Sequence, residues 1–167
     1  MRVGITGHRG LSPELSHQVR TLLAAELPSY GPADQLTAVS CVDDGPDTWW
    51  AHLVLKAGGR LEAVVPAEEY QAGLPAEHQE TCAALIRRAV KIRRTGLEQS
   101  TSEAHLAGSQ LMIDHCDRLV AVWDGLPARG YGGTADAVAY ARERGVPVTV
   151  LWPEGAVRRQ GEAETQP

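Results

Sequence analysis

One stretch, DGLPARGYGGTADAV at residues 124–138, constrains the fold of this 167-residue chain more than any other. It contains four glycines and a proline, follows the apolar run RLVAVW (118–123), and continues into the helix-like sequence TADAVAYARERG (134–145). An apolar run of this length is typical of a buried strand. Glycine adopts backbone conformations, and allows close approaches, that other residues resist. The stretch therefore predicts a strand, a tight turn and a helix, with a ligand or another segment close to the turn.

The rest of the chain repeats this alternation of strand and helix. Ser12 followed by Pro13 is a typical helix start, and Ser100 with Glu103 forms a candidate capping box for another helix. The predicted strands are 2–6, 36–42, 60–66, 118–124 and 146–152, with a short one in KIRRTG (91–96), and the later predicted helices are 45–59, 75–90, 100–116 and 134–145. Such alternation predicts an α/β fold, a Rossmann-like three-layer sandwich with a mostly parallel sheet of about five to six strands.

Length and charge limit the domain count and the class of partner. The length suits one domain over residues 1–153, and the polar composition from 154 to 167 predicts a flexible tail. The formal net charge is −5. This sign argues against broad attraction to nucleic acid or membranes, so we expect neither as a partner.

Cysteine usage and the N-terminus predict a cytoplasmic protein. Cys41, Cys82 and Cys116 are widely spaced and form no C-x-x-C pair, which argues against a disulfide framework or a zinc site. The first ten residues have no long apolar run followed by a cleavage site. We expect no metal and no cofactor.

The loop after the first predicted strand is one candidate ligand contact. In open parallel sheets, ligands bind at the carboxyl ends of the strands. The loop GITGHRG places Gly7, His8 and Arg9 there, and an arginine fork suits phosphate or carboxylate. The spacing matches neither G-x-G-x-x-G nor G-x-x-x-x-G-K-[ST]. The alternative is that the glycines only form a turn and Arg9 is solvated.

The glycine turn is the second candidate. Gly130, Gly132 and Gly133 can adopt positive φ, and Thr134 could cap the next helix and leave its first N–H groups free for an anion. Tyr131, within the turn, is a candidate contact for a base or ribose, or else an exposed lid residue. The alternative for the whole turn is a flexible loop with a capping threonine.

Three motifs together resemble the SLOG superfamily. They are GITGHR at the N-terminus, DDGPD (43–47) and CDRLVAVWDGLPARGYGGTADAVAYAR (116–142). These Rossmann-like nucleotide-binding proteins include the Lonely Guy enzymes, DNA-processing protein A and the YpsA-like proteins, and the chain looks similar to their small stand-alone bacterial members. The resemblance implies nucleotide and phosphate contacts at matching positions: Gly7, His8, Arg9, Gly45, Asp47, Gly132, Gly133 and Thr134.

Catalysis is the point at which the chain departs from that resemblance. Lonely Guy enzymes hydrolyse the N-glycosidic bond of nucleoside monophosphates, with a P-G-G-x-G-T-x-x-E motif whose glutamate acts on the ribose. Aligning its Gly-Thr pair on Gly133-Thr134 puts Ala137 at the glutamate position. Asp136 and Asp124 are the candidate catalytic carboxylates instead. The alternatives are an Asx turn at Asp124 and a favourable charge at a helix N-terminus for Asp136.

Three functions remain open on the sequence. We favour a module that binds or senses a nucleotide or nucleotide-derived small molecule. The alternative is an N-glycosidase, a phosphoribohydrolase or ribosyltransferase-like enzyme acting on nucleoside monophosphates, and the third is a structural or regulatory partner protein. Small and apolar residues in the helix at 100–116 predict a homodimer or higher homo-oligomer, although the same pattern fits core packing.

Overall fold

A computed structural model describes residues 1–158 and contains one six-stranded parallel sheet. The strands are β1 Arg2–Gly7, β2 Thr37–Ser40, β3 Arg60–Val65, β4 Lys91–Arg94, β5 Arg118–Val122 and β6 Val148–Leu151. Their order across the sheet is β4-β3-β2-β1-β5-β6, and every neighbouring pair is parallel. The predicted α/β fold is confirmed, including the short strand in KIRRTG.

Five α-helices connect the strands: α1 Pro13–Glu26, α2 Pro46–Lys56, α3 Ala76–Arg88, α4 Ser102–Ile113 and α5 Thr134–Glu143. Ser12 caps α1 as predicted, because its hydroxyl accepts the N–H of Leu15 at 3.3 Å. The predicted capping box of α4 is wrong by one residue. Thr101 is the N-cap and accepts the N–H of Ala104, while the Ser100 hydroxyl pairs with His105. None of the helices in the described range is long and apolar enough to cross a membrane.

The helices divide between the two faces of the sheet. Helices α1, α2 and α3 pack on one face through side chains such as Val19, Trp50 and Leu85. Helices α4 and α5 pack on the other face through Met112 and Ala141. Strand β1 lies between β2 and β5, so the chain winds away from β1 in both directions. The switch point of the topology lies at its carboxyl end, where open α/β sheets bind ligands.

Candidate functional site

A small cavity of about 70 Å³ opens at the carboxyl ends of the central strands, on the α4 and α5 face. We call it the glycine-turn cleft. It brings together seven of the predicted site residues. Tyr70, Asp43 and Cys41 also line it. The seven are Gly7, Arg9, Asp47, Tyr131, Gly132, Gly133 and Thr134. As far as residues 1–158 form its wall, Gly45, Gly130, His8, Asp124 and Asp136 do not line it.

The glycine turn is shaped mainly by its neighbour, helix α4. A Cβ atom on Gly132 would lie 2.7 Å from the carbonyl oxygen of Ser102, and Gly132 has a φ of +84°. Because of both facts, any side chain at this position would be costly. A Cβ on Gly130, by contrast, would meet no described atom within 4 Å. The close approach predicted from the glycines is therefore, at Gly132, an approach by the protein itself.

The N-terminus of α5 forms one wall of the cleft. Gly133 is the N-cap, with φ −77° and ψ −177°, and Thr134 is the first helical residue, so the prediction that Thr134 caps the helix is wrong. The N–H groups of Thr134 and Ala135 precede the first residues that can donate within the helix. The carboxylate of Asp136 turns back and accepts the N–H of Gly132 at 2.8 Å. Asp136 thus closes the turn, and the two N–H groups, which have no hydrogen-bond partner within residues 1–158, can bind an anion.

Tyr70 was not predicted from the sequence. It is 1% exposed and lines the cleft. Its hydroxyl has no hydrogen-bond partner among the described residues, although a buried polar group without a partner costs about 1–3 kcal/mol. Burial, with smaller contributions from Asp43 and Cys41, raises its pKa well above the ordinary value. Tyr70 therefore offers an O–H donor to the cleft. It follows β3 in an irregular segment, where no periodicity marks it.

The segment after β2 enters the cleft through a strained turn. Val42 has a φ of +51° and is fully buried. A β-branched residue rarely adopts this conformation, and such strain is often found at functional sites. The turn ends β2 at Ser40 rather than at residue 42 as predicted. Next to it, the guanidinium of Arg9 lies 3.2 Å from the carboxylate of Asp43, so the arginine fork predicted for a ligand already has an acidic partner.

Asp47 is the buried carboxyl group of the cleft. It lies in the first turn of α2, after Gly45, whose φ of +96° only glycine adopts readily. Burial and then the charge of Asp43 raise the pKa of Asp47 well above its ordinary value. Backbone hydrogen bonds at Asp43 and Cys41 and the charge of Arg9 act in the opposite direction.

His8 follows the carboxyl end of β1 and is covered by the end of the described chain. Its side chain is 4% exposed, and Trp152 packs edge-on against its ring at 5.7 Å. Arg158 donates to Nδ1 at 2.6 Å. The other ring nitrogen, Nε2, lies 3.0 Å from a carboxylate oxygen of Asp124 and accepts the N–H of Asp124 at 3.3 Å. Arg158, which belongs to the predicted tail, thus contacts His8, and His8 does not face the cleft.

Asp124 belongs to this same buried cluster. Its carboxylate also accepts the N–H of Leu126 at 3.1 Å, which is the Asx turn considered above. Burial alone would raise the pKa of Asp124, but the Leu126 N–H together with His8 and Arg158 holds it below the ordinary value. Asp124 is therefore an ionised structural partner of His8 in this arrangement.

Two further predicted positions differ sharply in exposure. Ala137, at the position of the Lonely Guy glutamate, is 1% exposed and packs in the core between the sheet and α5. Tyr131 is 63% exposed at the mouth of the cleft. A ligand that extends out of the cleft would therefore meet Tyr131 first, and Ala137 gives it no functional group.

No family model matches the chain, and no curated protein matches its sequence. Solved structures do match. DNA processing protein A (DprA) from Helicobacter pylori, described for its single-stranded DNA binding mode, has a TM-score of 0.67 and 19% identity over 93% of this chain and 66% of that chain. DprA from Streptococcus pneumoniae has a TM-score of 0.65 and 19% identity, over 89% of this chain and 49% of that chain. The molybdenum cofactor binding protein from Rippkaea orientalis has a TM-score of 0.53 and 17% identity, over 89% of this chain and 74% of that chain. The chain thus spans about half to two thirds of the two DprA chains.

These likenesses confirm the resemblance to SLOG proteins as one of fold, since DNA processing protein A is among the members named for it. They also correct one expectation. We excluded nucleic acid as a partner from the net charge, yet the H. pylori protein with this fold binds single-stranded DNA. The exclusion is wrong because net charge describes the whole chain, whereas binding depends on the groups that line one site.

Proposed function

We propose that the glycine-turn cleft binds the phosphate of a nucleotide or nucleotide-derived ligand, and that the protein works as a binding or sensing module. The observation that carries the proposal is the buried, unpartnered hydroxyl of Tyr70. It lines the same cavity as Thr134, at the start of α5, where the first N–H groups have no partner in the described part of the chain. These groups are all donors, and the group that satisfies several converging donors is an anionic oxygen.

The size of the cleft limits how much of the ligand it can enclose. Its volume is about 70 Å³. Pockets that enclose a whole ligand usually measure about 300–1,000 Å³. The cleft therefore takes the phosphate, and the sugar and base extend outward past the exposed ring of Tyr131.

The proteins of the same fold support a phosphate-bearing ligand without naming it. One binds single-stranded DNA, which is a polymer of nucleotides, and others carry the molybdenum cofactor. The ligand differs between them, so the fold alone does not choose the base or the number of phosphates. The donors in this chain's cleft would recognise a phosphate, which every nucleotide carries.

The deciding experiment compares two substitutions of Thr134. Proline at this first helical position removes the N–H, and the extended Gly133 before it suits a residue that precedes proline. Alanine at the same position keeps the N–H and removes the hydroxyl and methyl groups, which proline also lacks. Binding of AMP, ADP and ADP-ribose is measured by the shift in melting temperature and by calorimetry.

We expect a shift for the wild type, and about tenfold weaker binding for Thr134→Pro than for Thr134→Ala, as for a lost hydrogen bond to a charged group. Tyr70→Phe should weaken binding in the same direction. The proposal fails if no compound in the panel shifts the melting temperature, or if the proline and alanine variants bind equally well.

The second function, an N-glycosidase acting on nucleoside monophosphates, is supported by one observation. Asp43 and Asp47 lie side by side in the cleft, and the pKa of Asp47 is raised by burial and by the charge of Asp43. Two carboxyl groups in one cavity, one of them with a raised pKa, can act as acid and base on a glycosidic bond. These two residues differ from Asp124 and Asp136, the candidate catalytic carboxylates predicted from the sequence.

Release of free base from AMP, CMP, GMP and UMP tests this alternative. We expect none from the wild type, because Ala137 leaves the ribose without the relatives' glutamate. Base release at enzymatic rates that Asp47→Asn abolishes, while nucleotide binding survives, would establish the glycosidase instead. Asp136→Asn and Asp124→Asn are the matched controls that separate Asp47 from the residues suggested by the sequence.

A further inference from the structure

A second recess lies on the opposite face of the sheet, between α1, α2 and α3. Its volume is about 560 Å³, which falls within the range of small-molecule sites. We call it the α1–α3 groove. It shares no lining residue with the glycine-turn cleft. A phosphate bound in the cleft would not reach the groove, so any ligand of the groove is a separate one.

The groove is polarised along the axis of α2. Thr48 lies at the end nearer the carboxyl edge of the sheet, and Lys56 lies at the other end. Eight residues of α-helix separate them by about 12 Å. Asp44 and Glu77 line the first end, while Lys56 supplies positive charge at the second. The two ends therefore attract charges of opposite sign.

The acidic end of the groove carries two carboxylates beside a buried histidine. His78 is 5% exposed, and its Nε2–H donates to the carbonyl of Val42 at 3.0 Å. Its Nδ1 lies 3.6 Å from a carboxylate oxygen of Asp44. Asp44 and Glu77 both line this end, and their carboxylates are complementary to an ammonium group.

The basic end and the middle of the groove have a different chemistry. Arg20 lies over the ring of Trp49 at 4.5 Å. Burial, and then the positive charges of Arg88 and Arg20, lower the pKa of His52. His52 is thus neutral at neutral pH, and the charge here comes from arginine and lysine. Between the ends, Trp49 and Leu53 supply an apolar wall.

We propose that the α1–α3 groove binds an elongated zwitterion of peptide type. Its ammonium group lies between Asp44 and Glu77, its apolar body lies along Trp49 and Leu53, and its carboxylate meets Lys56. An extended tripeptide spans about 10 Å, which matches the distance between the charged ends. This site is independent of the proposed nucleotide function, and the two can fail separately.

The probe is the tripeptide Ala-Leu-Ala in four forms: free, N-acetylated, C-amidated and doubly capped. Binding is followed by tryptophan emission, with Trp49→Phe to identify the reporting ring, and by amide shifts in NMR spectra. We expect saturable binding of the free peptide and about fivefold weaker binding for each cap, since each removes one partly exposed ion pair.

Two variants assign the ends of the peptide. Asp44→Asn should remove the difference between the free and acetylated peptides, and Lys56→Gln the difference between the free and amidated ones. Neither should change ADP binding at the cleft. The proposal is overturned if the doubly capped peptide binds as well as the free one, if no form binds, or if Trp49 emission instead follows self-association of the protein.

Discussion

The two recesses of the molecule are built from different materials. Backbone shapes much of the glycine-turn cleft, through the turn at Gly132 and the first N–H groups of α5. Side chains on three helices shape the α1–α3 groove. The cleft is small and closely packed, and the groove is about eight times larger in volume. A site built from backbone tolerates few substitutions, whereas a site built from surface side chains can change without disturbing the fold.

The largest expected effect tests the rigid side of this comparison. Gly132→Ala places a Cβ 2.7 Å from the Ser102 carbonyl at a φ of +84°. We expect a loss of about 3 kcal/mol in the free energy of unfolding, from backbone strain and overpacking together. Gly130→Ala, with open space around its Cβ, is the control and should change stability by about 0.5 kcal/mol or less. Denaturant unfolding measures both, and equal losses would contradict the packing argument.

The next largest expected effect compares two carboxylates close in sequence: Asp47 lines the cleft and Asp44 lines the groove. The pKa of Asp47 is raised above its ordinary 3.8 by burial, so folding favours the protonated form. Stability contributed by that proton is full below pH 3.8 and is lost as the pH rises through the folded pKa. Asp47→Asn should therefore be more stable than the wild type at neutral pH, with the gap closing toward pH 3.8. The exposed Asp44 is the control, and Asp44→Asn should show no such gap in melting experiments across this range.

A smaller effect distinguishes two buried tyrosines. Tyr70→Phe removes a hydroxyl without a described partner, and we expect it to raise the free energy of unfolding by about 1 kcal/mol. The hydroxyl of Tyr30 is bonded to Glu26 at 2.8 Å, so Tyr30→Phe should lower it by about 1 kcal/mol. Changes of the same sign in the two variants, measured by urea unfolding, would mean that the Tyr70 hydroxyl is satisfied in solution.

The smallest effect concerns the adaptable side of the comparison. Arg20→Gln removes the guanidinium that lies over Trp49, and we expect a loss of about 0.5 kcal/mol or less for an exposed cation–π contact. The emission spectrum of Trp49 should change although stability barely does. A loss as large as that of Gly132→Ala would show that the groove is part of the folding core and not an open surface.

The same difference explains what the sequence could predict. Glycines and a strand-to-helix boundary mark a backbone turn, so the turn at Gly132 and Gly133 and the start of α5 could be predicted. Tyr70 was not, because its burial arises when an irregular segment packs under α4, and no local pattern records that contact. The α1–α3 groove also has no sequence signal of its own, since Thr48, Trp49 and Lys56 follow the spacing of any amphipathic helix.

His8 illustrates a limit set by sequence separation. Its position after β1 indicated a ligand contact, but its observed partners are Asp124 and Arg158, the latter 150 residues away in the chain. Single-sequence reasoning works over short spacings, so it places a residue at a strand end without finding what covers it. The homodimer, the cytoplasmic location and the domain boundary at 153 stay predictions, and residues 159–167 of the predicted tail lie outside the described part of the chain.

The central position of β1 has a consequence for the order in which the protein can assemble during translation. One edge of β1 pairs with β2, which the ribosome makes soon afterwards, whereas Val3 on the other edge pairs with Arg118 of β5. Until β5 emerges, a nascent chain holds the middle strand of its future sheet with one side unpaired. Open strand edges recruit other chains. Fragments that stop before residue 118 should therefore associate with chaperones or aggregate, and the completed chain should not.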